Sequence, residues 1–101
     1  MIKPSNGRIV WYTPDRASDS DHKIAQHNQM VPLAAMVAHV WGDRMVNLVV
    51  FDSNGAMHAR TSVTLLQDDD AKPEGGRFCV WMPYQLGQAA KTEALEAKLG
   101  G

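Results

Sequence analysis

The side chains best suited to hold another molecule are five rings, Trp11, Tyr12, Trp41, Trp81 and Tyr84, and the run Arg60, Thr61, Ser62. Each indole or phenol offers apolar area and a face on which a cation or a nucleobase can stack, and one stacked base is worth about 1–3 kcal/mol. A guanidinium presents a planar fork of donors that matches a phosphate or carboxylate, and two neighbouring hydroxyls add to it. His39 and Asn47 interrupt otherwise apolar runs and would extend such a patch. The ten candidate ligand-binding residues are therefore Trp11, Tyr12, His39, Trp41, Asn47, Arg60, Thr61, Ser62, Trp81 and Tyr84. Against this stands a plainer account. A domain of 101 residues needs large side chains to fill its core, and polar residues within strands also occur on any sheet that faces water on one side.

Catalytic arrangements are weak by comparison. His22, His27, His39 and His58 lack metal-ligand spacing, Cys79 has no recognisable nucleophile context, and no paired-carboxylate, phosphate-loop or Gly-x-Ser-x-Gly motif occurs. The expectation is a protein that binds without catalysis, uses no cofactor and holds no metal. Acidic residues gather at Asp15, Asp19 and Asp21 and at Asp68, Asp69 and Asp70, where solvated loop charge is the simplest account. A net charge of −1 with no basic stripe disfavours nucleic acid as a partner. No apolar run approaches the roughly 20 residues that cross a bilayer, so the expectation is a cytoplasmic protein with no membrane partner.

These residues need elements to position them. Arg8–Tyr12 is β-branched and aromatic and reads as a first strand, with Ile9 and Trp11 on one face and Val10 and Tyr12 on the other. Leu33–Trp41, Met45–Asp52 and Ala56–Leu66 form a three-stranded meander, whose second turn carries Asn54-Gly55, a pair suited to the positive φ angles of a tight hairpin. Phe78–Met82 is the last strand, stopped by Pro83. From Gln85 to Leu99 the residues change to Ala, Leu, Glu, Lys and Gln at helical spacing. The polar stretch Thr13–Pro32 is longer than an ordinary connection, and loops of that length are commonly functional or disordered. The fold expected is mainly β: an SH3-like small five-stranded barrel over residues 1–84 with long loop 13–32, followed by a C-terminal α-helix over 85–101. A barrel of this kind would gather the rings and Arg60 around one hollow.

Four blocks, Gly7–Tyr12 (GRIVWY), Met45–Asp52 (MVNLVVFD), Arg60–Val63 (RTSV) and Trp81–Gln85 (WMPYQ) with Gly87–Glu93 (GQAAKTE), resemble a family of small accessory proteins of tailed bacteriophages and prophages. The resemblance implies a phage gene product acting in the bacterial cytoplasm, with assembly into the virion as an alternative. The function expected is anti-defence: sequestration of a small nucleotide-derived signal by a homo-oligomer. The alternatives are an interaction module that grips a host or phage protein, and a minor virion component.

Overall fold

Alternation of buried and solvent-facing side chains, interrupted at bulges, organises the strands. In a computed structural model describing residues 1–16, 18–68, 70–73 and 76–86, five strands appear in the order β1 (Ile9–Thr13), β2 (Leu33–Gly42), β3 (Met45–Phe51), β4 (Met57–Leu66) and β5 (Phe78–Trp81). They close into a barrel in sequence order. All pairings are antiparallel except β4 with β5, and β1 completes the ring by pairing with β5. The protein is thus mainly β, as the strand patterns predict, and closure gives every strand two neighbours, although β5 pairs with β4 only over Thr64–Leu66.

Val10 and Tyr12 of β1, Ala35 and Val37 of β2, Val46, Leu48 and Val50 of β3, Val63 and Leu65 of β4, and Cys79 and Trp81 of β5 point into the core. Ile24, from the long loop, joins this core. Burial drives the Cys79 thiol up to about 12, so it is a neutral core residue at physiological pH.

Bulges bend the sheet. Register shifts occur in β2 between Val37 and His39 and between Val40 and Gly42, and in the β3–β4 ladder between Val46 and Leu48. At the last of these Thr61 and Ser62 together oppose Asn47, and Ser62 takes a left-handed backbone with φ of 53°. The N–H that the bulge frees donates to Asn47 Oδ1 at 2.8 Å, which satisfies a donor with no ladder partner.

The β3–β4 turn is the expected tight hairpin, but the positive φ falls on one residue of the Asn54-Gly55 pair. Only Gly55 has positive φ there, the Gly55 N–H donates to Asp52 C=O at 2.9 Å, and the Asp52 N–H donates to Ala56 C=O. This is a turn followed by a left-handed glycine, and the Asp52 carboxylate selects it by accepting from the Asn54 and Ala56 N–H groups, each at 2.9 Å. Asn54 is thereby held out of the left-handed region.

Residues 83–86 form a helical turn. Pro83 suits its first turn, where no N–H is required, and the Gln85 side chain accepts from the Met82 N–H at 3.2 Å. The remainder of the expected helix lies outside the described residues. No helix among the described residues is long and apolar enough to cross a membrane.

Candidate functional site

The stretch 13–32 is built around one carboxylate. Ser18 caps a four-residue helix α1 (Asp19–His22), its hydroxyl accepting from the Asp21 N–H. The Asp21 side chain has no accessible surface. Its Oδ2 accepts from Tyr12 Oη at 2.6 Å and from the Asp15 N–H at 2.8 Å, while Oδ1 accepts from Arg60 Nε at 2.7 Å. Arg16 then crosses the loop, donating from Nη1 to the carbonyls of Asp21 and Ile24 and from Nη2 to Gln26 Oε1. A further seam joins the loop to the β3–β4 turn. The Ser53 N–H donates to Ala25 C=O at 2.8 Å, the His27 N–H to Ser53 Oγ, and His27 Nε2 lies 2.8 Å from Asn54 Oδ1.

Burial works against ionising Asp21, but the hydrogen bonds from Tyr12, Arg60 and Asp15, with the charge of Arg60, outweigh it and hold the carboxyl below the usual range. Tyr12 shifts the other way, first through burial and then because its hydroxyl donates to Asp21. The pH dependence follows from these signs. A depressed native carboxyl contributes stability above the unfolded value and loses it as pH falls through the native one. Thermal unfolding should therefore show Tm declining as pH drops from about 4, the ordinary Asp value, toward the lower value of Asp21. A raised native phenol contributes stability that fades as pH rises beyond about 10. A Tm that stayed flat below pH 4 would mean that Asp21 is not specially stabilised as an anion.

The loop anchored in this way forms one wall of a groove on the outside of the barrel. Two cross-strand pairs line it, Trp11 with Val80, which alternate with the core-facing positions, and Thr13 with Phe78, whose ring is buried. Gln26, Gln29, Met30 and Pro32 of the loop and Lys72 complete the lining. The volume is about 470 Å³, within the range of roughly 300–1,000 Å³ common for small-molecule sites. An indole, other apolar surface, side-chain amides, one hydroxyl and one ammonium are therefore available together.

The ten residues expected to share one hollow are instead divided among several places. Trp11 lines the groove. Tyr12 is a correction: it is fully buried, because inward β1 positions alternate with Trp11, and its hydroxyl serves Asp21. Trp81 is also buried; its Nε1 donates to Gln67 Oε1 at 3.1 Å, and Arg8 sits 5.7 Å above its ring. Arg60 pairs with Asp21 at the barrel end and is not among the groove-lining residues. Thr61 is exposed, and its carbonyl accepts from Arg77 Nη2 at 2.7 Å. Tyr84 is exposed and also lies outside the groove lining.

Four of the ten do converge, at the bulged end of the meander. Trp41 Nε1 and the Ser62 N–H both donate to Asn47 Oδ1, and His39 packs edge-on against Trp41 with ring centres 4.5 Å apart. Sequence reasoning missed Asp21 and the groove walls. Asp21 looks like its loop neighbours Asp15 and Asp19, and the available signal was Tyr12, an inward-facing phenol at a strand end that requires an acceptor. No family model, curated protein or solved structure matches the chain.

Proposed function

We propose that this protein binds without catalysis and holds a planar, anionic ligand of the nucleotide type in the Trp11 groove. In the phage setting that the sequence resemblance implies, such binding would withdraw a nucleotide-derived signal from the host. The observation that carries the reading is the half-buried Trp11 ring, facing outward in the lining of a groove of about 470 Å³ that Lys72 borders. Stacking on the indole supplies affinity for the flat part of the ligand, and the ammonium matches its charge. The groove lining offers one cation rather than an arginine cluster, which suits a small anion better than a polynucleotide backbone.

A thermal-shift and equilibrium-dialysis screen with cyclic and ADP-ribose-type nucleotides tests this. A ligand at about a hundred times its Kd adds roughly 2.7 kcal/mol, or several degrees of Tm. Trp11→Ala should weaken binding about 5- to 150-fold, the equivalent of 1–3 kcal/mol of stacking, while the core remains intact. If no nucleotide raises Tm at millimolar concentration, or if Trp11→Ala binds as tightly as the parent, the reading fails.

A second reading, an interaction module for a host or phage protein, is favoured by the His39–Trp41 pair. Trp41 is 63% exposed yet fixed by its bond to Asn47, and rigid exposed tryptophans are typical anchors of protein interfaces. It predicts a stoichiometric protein captured from infected cells and lost with Trp41→Ala.

A further inference from the structure

The three breaks in the sheet register fall together, and they turn outward side chains that unbroken strands would bury. Ala35 and Val37 of β2 face the core, so unbroken alternation would send His39 and Trp41 inward after them. Ala38 is an extra residue in the β2–β3 ladder, and beyond it the faces exchange: His39 and Trp41 point to solvent while Val40 packs against the core. Trp41 is itself a second extra residue, between the Val40–Val46 and Gly42–Met45 pairs. In β4 the bulge opposite Asn47 does the same for Ser62, which would otherwise share the partly buried side of His58 and Arg60. Ser62 holds this position with φ of 53°, a backbone that residues bearing a side chain rarely adopt. Bulges and an uncommon backbone conformation gathered at one place mark a site that the fold is bent to build.

What is assembled there is a fixed ring among unused hydrogen-bonding groups. The Trp41 Nε1–H is spent on Asn47 Oδ1 at 2.9 Å, and His39 stands edge-on to the indole, so the ring offers a partner its face and not its donor. Beside it the imidazole nitrogens of His39, the Asn47 Nδ2 and the Ser62 hydroxyl make no hydrogen bond to any described residue. Three arginines flank the cluster along the chain or by contact, and all are engaged: Arg44 with Asp70, Arg60 with Asp21, and Arg77 with the Thr61 carbonyl. An anion would find its counter-charge already committed, and a peptide backbone bonding through an indole N–H would find that donor taken. A pyranose ring matches what remains. One of its faces is a patch of C–H bonds that packs on an indole, and the hydroxyls at its rim both donate and accept, as the imidazole, amide and hydroxyl around Trp41 require.

From these observations we infer that Trp41, His39, Asn47 and Ser62 form a binding site for a neutral saccharide, with one pyranose ring stacked on the indole and its hydroxyls bonded to the imidazole, amide and hydroxyl beside it. Trp41 is 63% exposed, so the site is open and one sugar ring binds weakly, with a Kd on the order of 1 mM. The cluster stands on β2, β3 and β4, whereas Trp11 and Val80 of the groove stand on β1 and β5, so saccharide binding does not depend on nucleotide binding there. A protein anchored on the same ring is the competing occupant, and the two are separable by experiment.

Indole N–H resonances read the site directly, because the chain has three tryptophans in three different settings. The full chain is titrated with cellotetraose, maltotetraose and the N-acetylglucosamine tetramer to about 10 mM, roughly ten times the Kd expected for one stacked ring. At least one of them should move the Trp41 Nε1–H peak and leave those of Trp11 and buried Trp81 in place. Trp41→Ala should weaken binding at least about tenfold, and Trp41→Phe, which keeps a ring face, should weaken it less. Ser62→Gly separates function from architecture. Glycine takes a positive φ without steric cost, so Tm should hold or rise, whereas loss of the hydroxyl should lower saccharide affinity about 2- to 10-fold. A bulge serving only the fold would show the change in Tm with no change in affinity, and that result would overturn the inference. So would a Trp41 peak that none of the three sugars moves, a response at Trp11 in its place, or undiminished binding by Trp41→Ala. A protein captured from infected cells and lost with Trp41→Ala, in a chain that binds no sugar, would assign the ring to that protein instead.

Discussion

Replacing Arg60 with alanine should lower stability by about 3–5 kcal/mol, the cost expected when one partner of a buried ion pair is removed and the other remains charged. Arg60 is 11% exposed and Asp21 has no accessible side-chain surface, so solvent cannot readily take over the role of the guanidinium. The Tyr12 hydroxyl and the Asp15 N–H would still donate to the carboxylate, but neither carries a compensating charge. At about 4–8 °C per kcal/mol for a domain of this size, Tm should fall by at least roughly 12 °C. Arg60→Lys keeps the charge and loses the planar fork, so it should fall between the parent and Arg60→Ala. Urea titration measures both. A loss below about 1 kcal/mol for Arg60→Ala would show that the pair behaves like an exposed one. The same variant should expose residues 13–32 to limited proteolysis, because Asp21 ties that segment to β1 and β4 at once.

At the opposite end of the barrel, Gln67 is the position of next largest effect. It is buried, and its amide makes four bonds: Nε2 donates to the carbonyls of Ile2 and Asp43 at 2.7 and 2.9 Å, and Oε1 accepts from the Ile2 N–H and from Trp81 Nε1. Gln67→Leu preserves the approximate volume and removes every one of these bonds. The Trp81 indole N–H lies deep in the core, and an unsatisfied buried donor costs about 1–3 kcal/mol. Ile2 is half-buried and can regain part of its hydration. A net loss of about 2–4 kcal/mol is expected by calorimetry. Hydrogen exchange should show a further effect, faster exchange of the Ile2 amide, since the N-terminal segment is pinned there. Full protection of Ile2 in Gln67→Leu would place its anchor elsewhere.

These two polar centres also show where reading the sequence stops. Strand content was legible because alternation at β1 and apolar runs bounded by turn residues at β2–β4 follow from the period of two in extended chains. Even the faces of Trp11 and Tyr12 were assigned correctly from that period. Convergence was not legible, since it depends on register, and the register here is broken three times by bulges that no local pattern marks. Asp21 and Gln67 were invisible for a related reason. A lone acid among Asp15, Asp19 and Asp21, or a glutamine beside three aspartates, becomes a buried hub only through partners 39 and 65 positions away in the chain. Of the candidate site, the outward indole was foreseeable, whereas the walls from Gln26–Pro32 and Lys72 depended on how the long loop is tied down.

Closure of the barrel through β1 and β5 bears on how the chain acquires its shape during synthesis. Of the five barrel strands β1 is made first, and it has one neighbour in β2 but must wait for residues 78–81 to find the other. Until then Tyr12 and Val10 lack half their covering, and β4 lacks its parallel mate. Assembly is thus gated by translation of the final strand, and pairings so distant in sequence place the last step among slower events than local helix or hairpin formation. A nascent chain stalled before Phe78 would present the β2–β4 meander with one flank open, which is a natural target for a holding chaperone.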